Sequence, residues 1–156
     1  AYREATFAGL KKYPDIKIIA NVDGGAYTAA GGQKVSQDLI TAHSDMNVLV
    51  ANGDQPAAGA VLSLEAAGVL DKVKLIGGCP SKISKPLIKA GKEWGSWACT
   101  PEDEGRLAAE VLIKAIKGTL KAPVGLSPTL ERAKTTKFPI LVTKENIDQA
   151  LIQYAG

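Results

Sequence analysis

Residues 46–64 read MNVLVANGDQPAAGAVLSL. Val48 to Ala51 is a short apolar run of the kind a buried strand uses, and Asn52-Gly53-Asp54 ends it with turn formers. A helix of small residues follows at once, carrying Ala57, Ala58, Ala60, Leu62 and Leu64. Asp54 suits its N-cap. Pro56 falls in its first turn, where a missing N–H costs nothing. In an open α/β sheet, ligands bind just past the carboxyl ends of the strands. Residues 52–54 are therefore the first candidate site.

Working outward toward the amino end, residues 28–43 predict a helix with Val35, Leu39 and Ile40 on one face, closed by Ser44-Asp45. It is fed by a glycine-rich loop, NVDGGAYTAAGG at 21–32, and before that IKIIA at 16–20 predicts a strand. Residues 2–13 predict a first helix, with Phe7 and Leu10 at helical spacing, Lys11 and Lys12 in the last turn and Pro14-Asp15 as the break. Toward the carboxyl end, Gly68 lies just past the central helix, where a helix cap favours glycine. KVKLIGG then holds a strand over 73–76, with Cys79-Pro80-Ser81 as its tip. SKPLIKAG predicts a helix ending at Gly91, and EWGSWA at 93–98 alternates weakly as a further strand. Cys99-Thr100-Pro101 forms another tip. An acidic helix start, Glu102-Asp103-Glu104, leads a helix over 102–117 that Gly118 stops. Residues 119–137, with Pro123 and Pro128, read as an extended excursion. FPILVT at 138–143 is a last strand, and a final helix runs from Lys144 to about Tyr154.

Helix and strand alternating in this way predict an α/β fold: three layers, α/β/α, around a mainly parallel sheet. One element is out of pattern. The chain opens on a helix, so the strand that should precede it is missing.

The chain's 156 residues suffice for one ordinary domain. Formal net charge is +3, from 19 basic and 16 acidic residues, and the lysines are scattered. That is too weak a field to argue for nucleic acid as a partner. No apolar stretch approaches the roughly 18–20 residues that cross a bilayer. The chain opens AYREATFAGL, without an initiator Met, as expected of a processed or truncated product. No catalytic constellation appears. G-x-S-x-G, G-x-x-x-x-G-K-[ST] and G-x-G-x-x-G are all missing, and the single His43 makes no metal-ligand spacing with Cys79 and Cys99. The residues predict a non-enzyme that needs no cofactor and no metal. The two cysteines are compatible with free thiols or, in an oxidising compartment, with a disulfide.

Four pieces line up with one family: Arg3 and Phe7 in the first helix, LITAHSD at 39–45, the Asp54, Ala57, Gly59, Ala60 turn and helix, and VKLIGG followed by a tip and a helix ending in Ala-Gly. In this order and spacing they resemble the second half of a periplasmic sugar-binding protein of the ribose-binding type, a type I solute receptor of ABC importers. The ending FPILVTKENID resembles the family's closing strand. The resemblance implies two α/β lobes on a three-stranded hinge with the ligand between them. Residues 1–98 would be the C-terminal lobe without its first strand, 99–133 a crossover into an N-terminal lobe missing from this chain, and 134–156 the return strand and terminal helix. The apolar face of helix 102–117 would then have nothing to cover it. The implied partners are a small sugar or other polar solute, the missing lobe and a membrane permease. The implied location is periplasmic or extracytoplasmic, behind a signal peptide, with or without a lipid anchor. The same fold serves effector-sensing domains of lactose-repressor-type regulators, which is the alternative.

The resemblance also implies a site. Arg3 falls where the family has a ligand-binding arginine, and Tyr27 where it has an aromatic ring that stacks on the sugar. Asn52, Gly53 and Asp54 form the central tip. Gly53 stands where sugar binders have Asn, Cys79 where they have an Asp, and Cys99 where they have a Gln or Asn. Backbone groups at Gly53, Gly78 and Pro80 share the work. A thiol is a weak donor and acceptor. These departures imply a ligand that is smaller, less hydroxylated, or held from the other lobe. Asp54 reads equally as a helix cap, and Trp94 and Trp97 as cleft lining or packing.

Overall fold

The structure, a computed structural model, describes residues 2–24, 27–121, 134, 139–150 and 152–153. Its elements in chain order are α1 (Tyr2–Leu10), α2 (Ala29–Ala42), β1 (Val48–Val50), α3 (Asp54–Ala66), β2 (Lys74–Gly78), α4 (Ser84–Lys89), β3 (Gly95–Trp97), α5 (Pro101–Ile116) and β4 (Leu141–Thr143). The strands form one sheet in the order β1-β2-β3-β4. β1–β2 and β2–β3 run parallel, and β4 returns antiparallel to β3. The fold is α/β with a mostly parallel sheet, as the alternation predicts.

Register decides which residues face the helices. Leu49, Leu75, Gly77, Ser96 and Val142 point to one side and are buried. On that side α3 supplies Ala57, Ala60, Val61 and Leu64, which join Leu49, Val73 and Leu75 in the main core. A second cluster joins Ile88 of α4 to Ala98, Val142 and Ile147. Helix α2 lies against α3 so closely that a Cβ on Gly59 would overlap the Ala29 carbonyl. Ser63 Oγ of α3 donates to the Gln33 carbonyl of α2 at 2.7 Å. The opposite side of the sheet, which a third layer would cover, carries Val48, Val50 and Leu141 at 46%, 53% and 46% exposure.

Helix ends follow the capping signals. Thr28 caps α2, its hydroxyl accepting the Gly31 N–H at 3.1 Å. α5 starts with Pro101 and three acidic residues in its first turn. Gly68, Gly91 and Gly118 follow α3, α4 and α5 in the left-handed conformation that ends helices. Along α5 no side chain is fully buried, and Leu112, Ile113 and Ile116 are exposed.

Two expectations are corrected. Residues 16–20 make no strand: they run outside the ladder with Ile16, Ile18 and Ile19 exposed. Ile16 and Ile18 share an open depression with Phe7, Leu10, Lys11, Tyr13 and Pro14 of α1 and the turn after it. Residues 144–149 form successive turns instead of a helix. Asn146 is the cause. Its side chain accepts the Thr143 N–H at 2.8 Å and donates to the Leu141 carbonyl at 3.0 Å, which folds the chain back on β4. Residues 122–133 and 135–137 of the expected excursion, Phe138 of the expected last strand, and Leu151 and Tyr154 of the expected last helix lie outside the described residues.

Candidate ligand site at the strand tips

β1, β2 and β3 are parallel neighbours, so their carboxyl ends open on the same edge of the sheet. Asn52 and Gly53 follow β1, Cys79 and Pro80 follow β2, and Cys99 follows β3. Seven of the eight residues expected in the site belong to this edge or the loop against it.

Tyr27 comes to the β1 tip from the loop before α2. Its ring lies directly on Gly53, so that a Cβ added there would overlap the ring and its hydroxyl. The ring is nevertheless 44% exposed. At the β2 tip the Trp97 indole, on β3, lies across Gly78 in the same manner. Trp94, by contrast, precedes β3 and sits at the opposite edge, exposed.

Cys79 and Cys99 are joined by a disulfide across 20 residues, with Cα atoms 4.9 Å apart. This closes the choice the sequence leaves open between thiols and a bridge. Cys79 is in the left-handed region at φ 54°, unusual for a residue with a side chain. Its N–H donates to the Trp97 carbonyl at 2.8 Å, extending the β2–β3 ladder to the bridge. Both cysteines are half-buried, and Pro80 beside them is buried.

Asp54 is not the N-cap. Gly53 takes that position, and Asp54 is the first helical residue of α3. Its carboxylate is fully buried, accepting the Gln55 N–H at 2.8 Å on one oxygen and the Ser81 hydroxyl on the other. Negative charge at a helix N-terminus is favourable there. Ser81 is itself fixed: its N–H donates to Ser84 Oγ at 2.8 Å, and its hydroxyl accepts the Ile83 N–H at 3.0 Å. Asp54 thus ties the start of α3 to the β2 tip.

Beneath this tie lies a group that pattern reading missed. Glu93 is fully buried, its carboxyl lying against Gly77. Neither of its oxygens, nor the Ser96 hydroxyl, has a partner at full hydrogen-bonding geometry among the described residues. Its pKa is pushed up to about 8, first by burial and then by the charge of Asp54, while the Gly77 backbone and Ser96 pull it part of the way back. Its neighbour Lys92 pairs with Glu65 at 2.7 Å.

Arg3 is not drawn into the cluster. It is exposed in the first turn of α1, the helix whose Phe7 and Leu10 share their depression with Tyr13, Pro14, Ile16 and Ile18. Among the described residues no group of three His, Cys, Asp or Glu side chains is placed to hold a metal ion.

Residues 1–120 match the model of the periplasmic binding protein domain family. The chain belongs to this family. Its relatives include the D-ribose/D-allose-binding protein of Pseudomonas aeruginosa, 28% identical over 142 residues, covering 90% of this chain and 42% of that protein. The ribose import binding protein RbsB of Salmonella typhimurium is 33% identical over 104 residues, covering 65% of this chain and 35% of that one. Among solved structures, an ABC transporter periplasmic solute-binding protein from Actinobacillus succinogenes with bound D-allose superposes with a TM-score of 0.76 at 25% identity, covering 94% of this chain and 48% of that one. These family relatives are binding proteins rather than enzymes. The chain spans less than half the length of each.

Proposed function

We propose that this chain supplies most of one lobe of the solute-binding component of an ABC importer. The complete protein closes two lobes over a small sugar or sugar-like polar solute and presents it to a membrane permease. It does so in the periplasm or an equivalent extracytoplasmic space, and no chemistry is performed on the solute. In this reading residues 1–98 form the lobe, α5 crosses toward a second lobe, and β4 returns. The bare apolar face of α5 and the antiparallel pairing of β4 with β3 support that division.

The observation that carries the reading is the gathering of Tyr27, Asn52, Gly53, Cys79, Pro80 and Cys99 at one edge of three parallel strands, in a chain of this family. An exposed aromatic ring covers the C–H face of a sugar, and exposed amide and guanidinium groups serve its hydroxyls. Asn52 and Arg3 are the side chains of this lobe suited to the second task, Arg3 from α1. Asp54 supports the tip from below.

Isothermal titration of the full-length protein with D-ribose, D-allose and myo-inositol tests the proposal. At least one should bind, and Arg3→Ala and Tyr27→Ala should each weaken that binding by about tenfold or more. Unchanged affinity in both variants would remove the site, and the failure of every sugar would remove the ligand class.

A further inference from the structure

The chain leaves the sheet for α5 through Cys99, which stands between β3 and Thr100, the residue that caps the helix. The bridge to Cys79 ties that exit to the tip of β2, across 20 residues of sequence. The two ends of the tie are held differently. On the Cys79 side the tip has anchors of its own. Pro80 is buried, the Ser81 hydroxyl donates to Asp54 and accepts the Ile83 N–H, and the Ser81 N–H donates to Ser84. On the Cys99 side Thr100 is buried, but the first turn of α5 is held through Gln153, near the end of the chain. Gln153 accepts the Glu102 N–H at 3.1 Å and donates to Asp103 at 3.0 Å. No α5 side chain is fully buried. Cys79 itself sits at φ 54°, a backbone conformation that a side chain disfavours. It is held there from two directions, by the bridge and by its N–H on the Trp97 carbonyl.

We infer that the Cys79–Cys99 bridge is a redox-operated latch on the entry to α5: a dithiol opens it in the folded protein and frees the start of that helix, while the β2 tip stays in place. Both cysteines are half-buried, so a small dithiol reaches the sulfurs without unfolding the chain. One thiolate of the dithiol attacks a bridge sulfur, breaks the S–S bond and forms a mixed disulfide. Its second thiolate then displaces the protein sulfur. The dithiol ends as a disulfide, and two electrons and two protons pass to the cysteines, which end as thiols. Opening removes one of the two holds on Cys79, and the Ser81 anchors confine the change to that residue. On the other side it removes the covalent hold on Cys99, and the helix start is left with Thr100 and Gln153. Where the chain crosses between lobes along α5, the closed latch stiffens the crossing. That consequence rests on the function proposed above; the latch itself does not.

The test uses the full-length oxidised protein, dithiothreitol as the probe and no solute, so it stands apart from any result with sugars. Alkylation of Cys79 and Cys99, read by peptide mass, follows the opening. Its rate should be nearly independent of urea below the unfolding transition, because the folded state is attacked. A rate that climbs with urea along the slope of global unfolding would mean that only unfolded chain is attacked, and would overturn the latch. In the reduced protein, hydrogen exchange in peptides covering 98–104 should be about tenfold faster or more, with peptides covering 80–85 and α3 unchanged. Unchanged exchange at 98–104, or acceleration spread over all of these peptides, would overturn it as well. A second measurement uses Cys79→Gly/Cys99→Ser, which removes the bridge and sets at φ 54° the residue that accepts that angle. This variant should show the faster exchange at 98–104 without reductant. Exchange as slow as in the oxidised wild type would show that the bridge holds nothing. The wild-type measurements decide the matter whether or not the variant folds.

Discussion

Glu93 costs the fold something that depends on pH. It is sealed among β2, β3 and the first turn of α3, with Asp54 as the charge facing it and Lys92 paired to Glu65. Its pKa stands at about 8 in the folded chain against 4.5 for an ordinary glutamate. The folded state therefore holds a proton that the unfolded state releases between those values. Stability from this group is fully present below about pH 4.5 and is lost as pH rises toward 8. The slope approaches about 1.4 kcal/mol per pH unit at its steepest. Exposed Asp148 is held below the usual carboxylate range by Lys89, so its titration falls under this window. Urea denaturation at pH 5 and at pH 8 should show a marked loss in the wild type and little in Glu93→Gln, which keeps the shape without the ionisation. Equal losses in the two proteins would show that Glu93 is not the source. None of this is legible in the sequence. Residues 93–98 alternate as a half-buried strand, and alternation reports which face a residue is on, not whether a carboxylate on that face has company. Asp54 was legible as a helix-start carboxylate, though not its partner Ser81, which lies 27 residues away.

Helix α3 carries two leucines, two residues apart, with opposite fates. Leu64 is fully buried in the main core, whereas Leu62 is half exposed. Leu64→Ala leaves a cavity between α3 and the sheet and should cost about 2–5 kcal/mol. Leu62→Ala should stay within about 0.5 kcal/mol, because it uncovers no core and alanine is the better helix former. Chemical denaturation of the two variants distinguishes them, and similar costs would contradict the packing described. The bounds of α2, α3 and α5 were readable to within a residue or two because their signals are local: Thr28 and Pro101 at the starts, Gly68 and Gly118 just past the ends. The errors fall where the deciding partner is distant or is a side chain. IKIIA at 16–20 has strand composition, but a strand exists only when an edge accepts it. Lys144 onward has helix composition, but the Asn146 side chain captures the backbone groups a helix would need. The site was legible as a set of strand tips. It was not legible that Tyr27 and Trp97 fill the glycine positions, since ring placement depends on contacts between elements.

At the scale of the molecule, two apolar surfaces stand open at once. One is the α5 stripe of Leu112, Ile113 and Ile116; the other is the sheet face of Val48, Val50 and Leu141. Exposed apolar surface of this kind marks an interface or a liability to association. The chain spans less than half of its relatives, and their remaining length is material enough to cover such surfaces. Among the described residues nothing lies over them, which leaves them available to a second copy of the chain. Sedimentation velocity over a concentration series should therefore show reversible self-association of the isolated chain. Leu112→Glu/Ile116→Glu should weaken it. Ile116 is 77% exposed and the whole helix lacks a buried residue, so these charges disturb no core and the variant should unfold at the same urea concentration as the wild type. In the full-length protein the same double substitution should instead lower stability, because there the stripe would be packed and each charge would be forced under a neighbouring surface. A monomeric isolated chain at every concentration would mean that the exposed stripe does not drive association, and a full-length protein indifferent to the two glutamates would mean that α5 faces solvent there and that the chain does not cross between lobes along this helix.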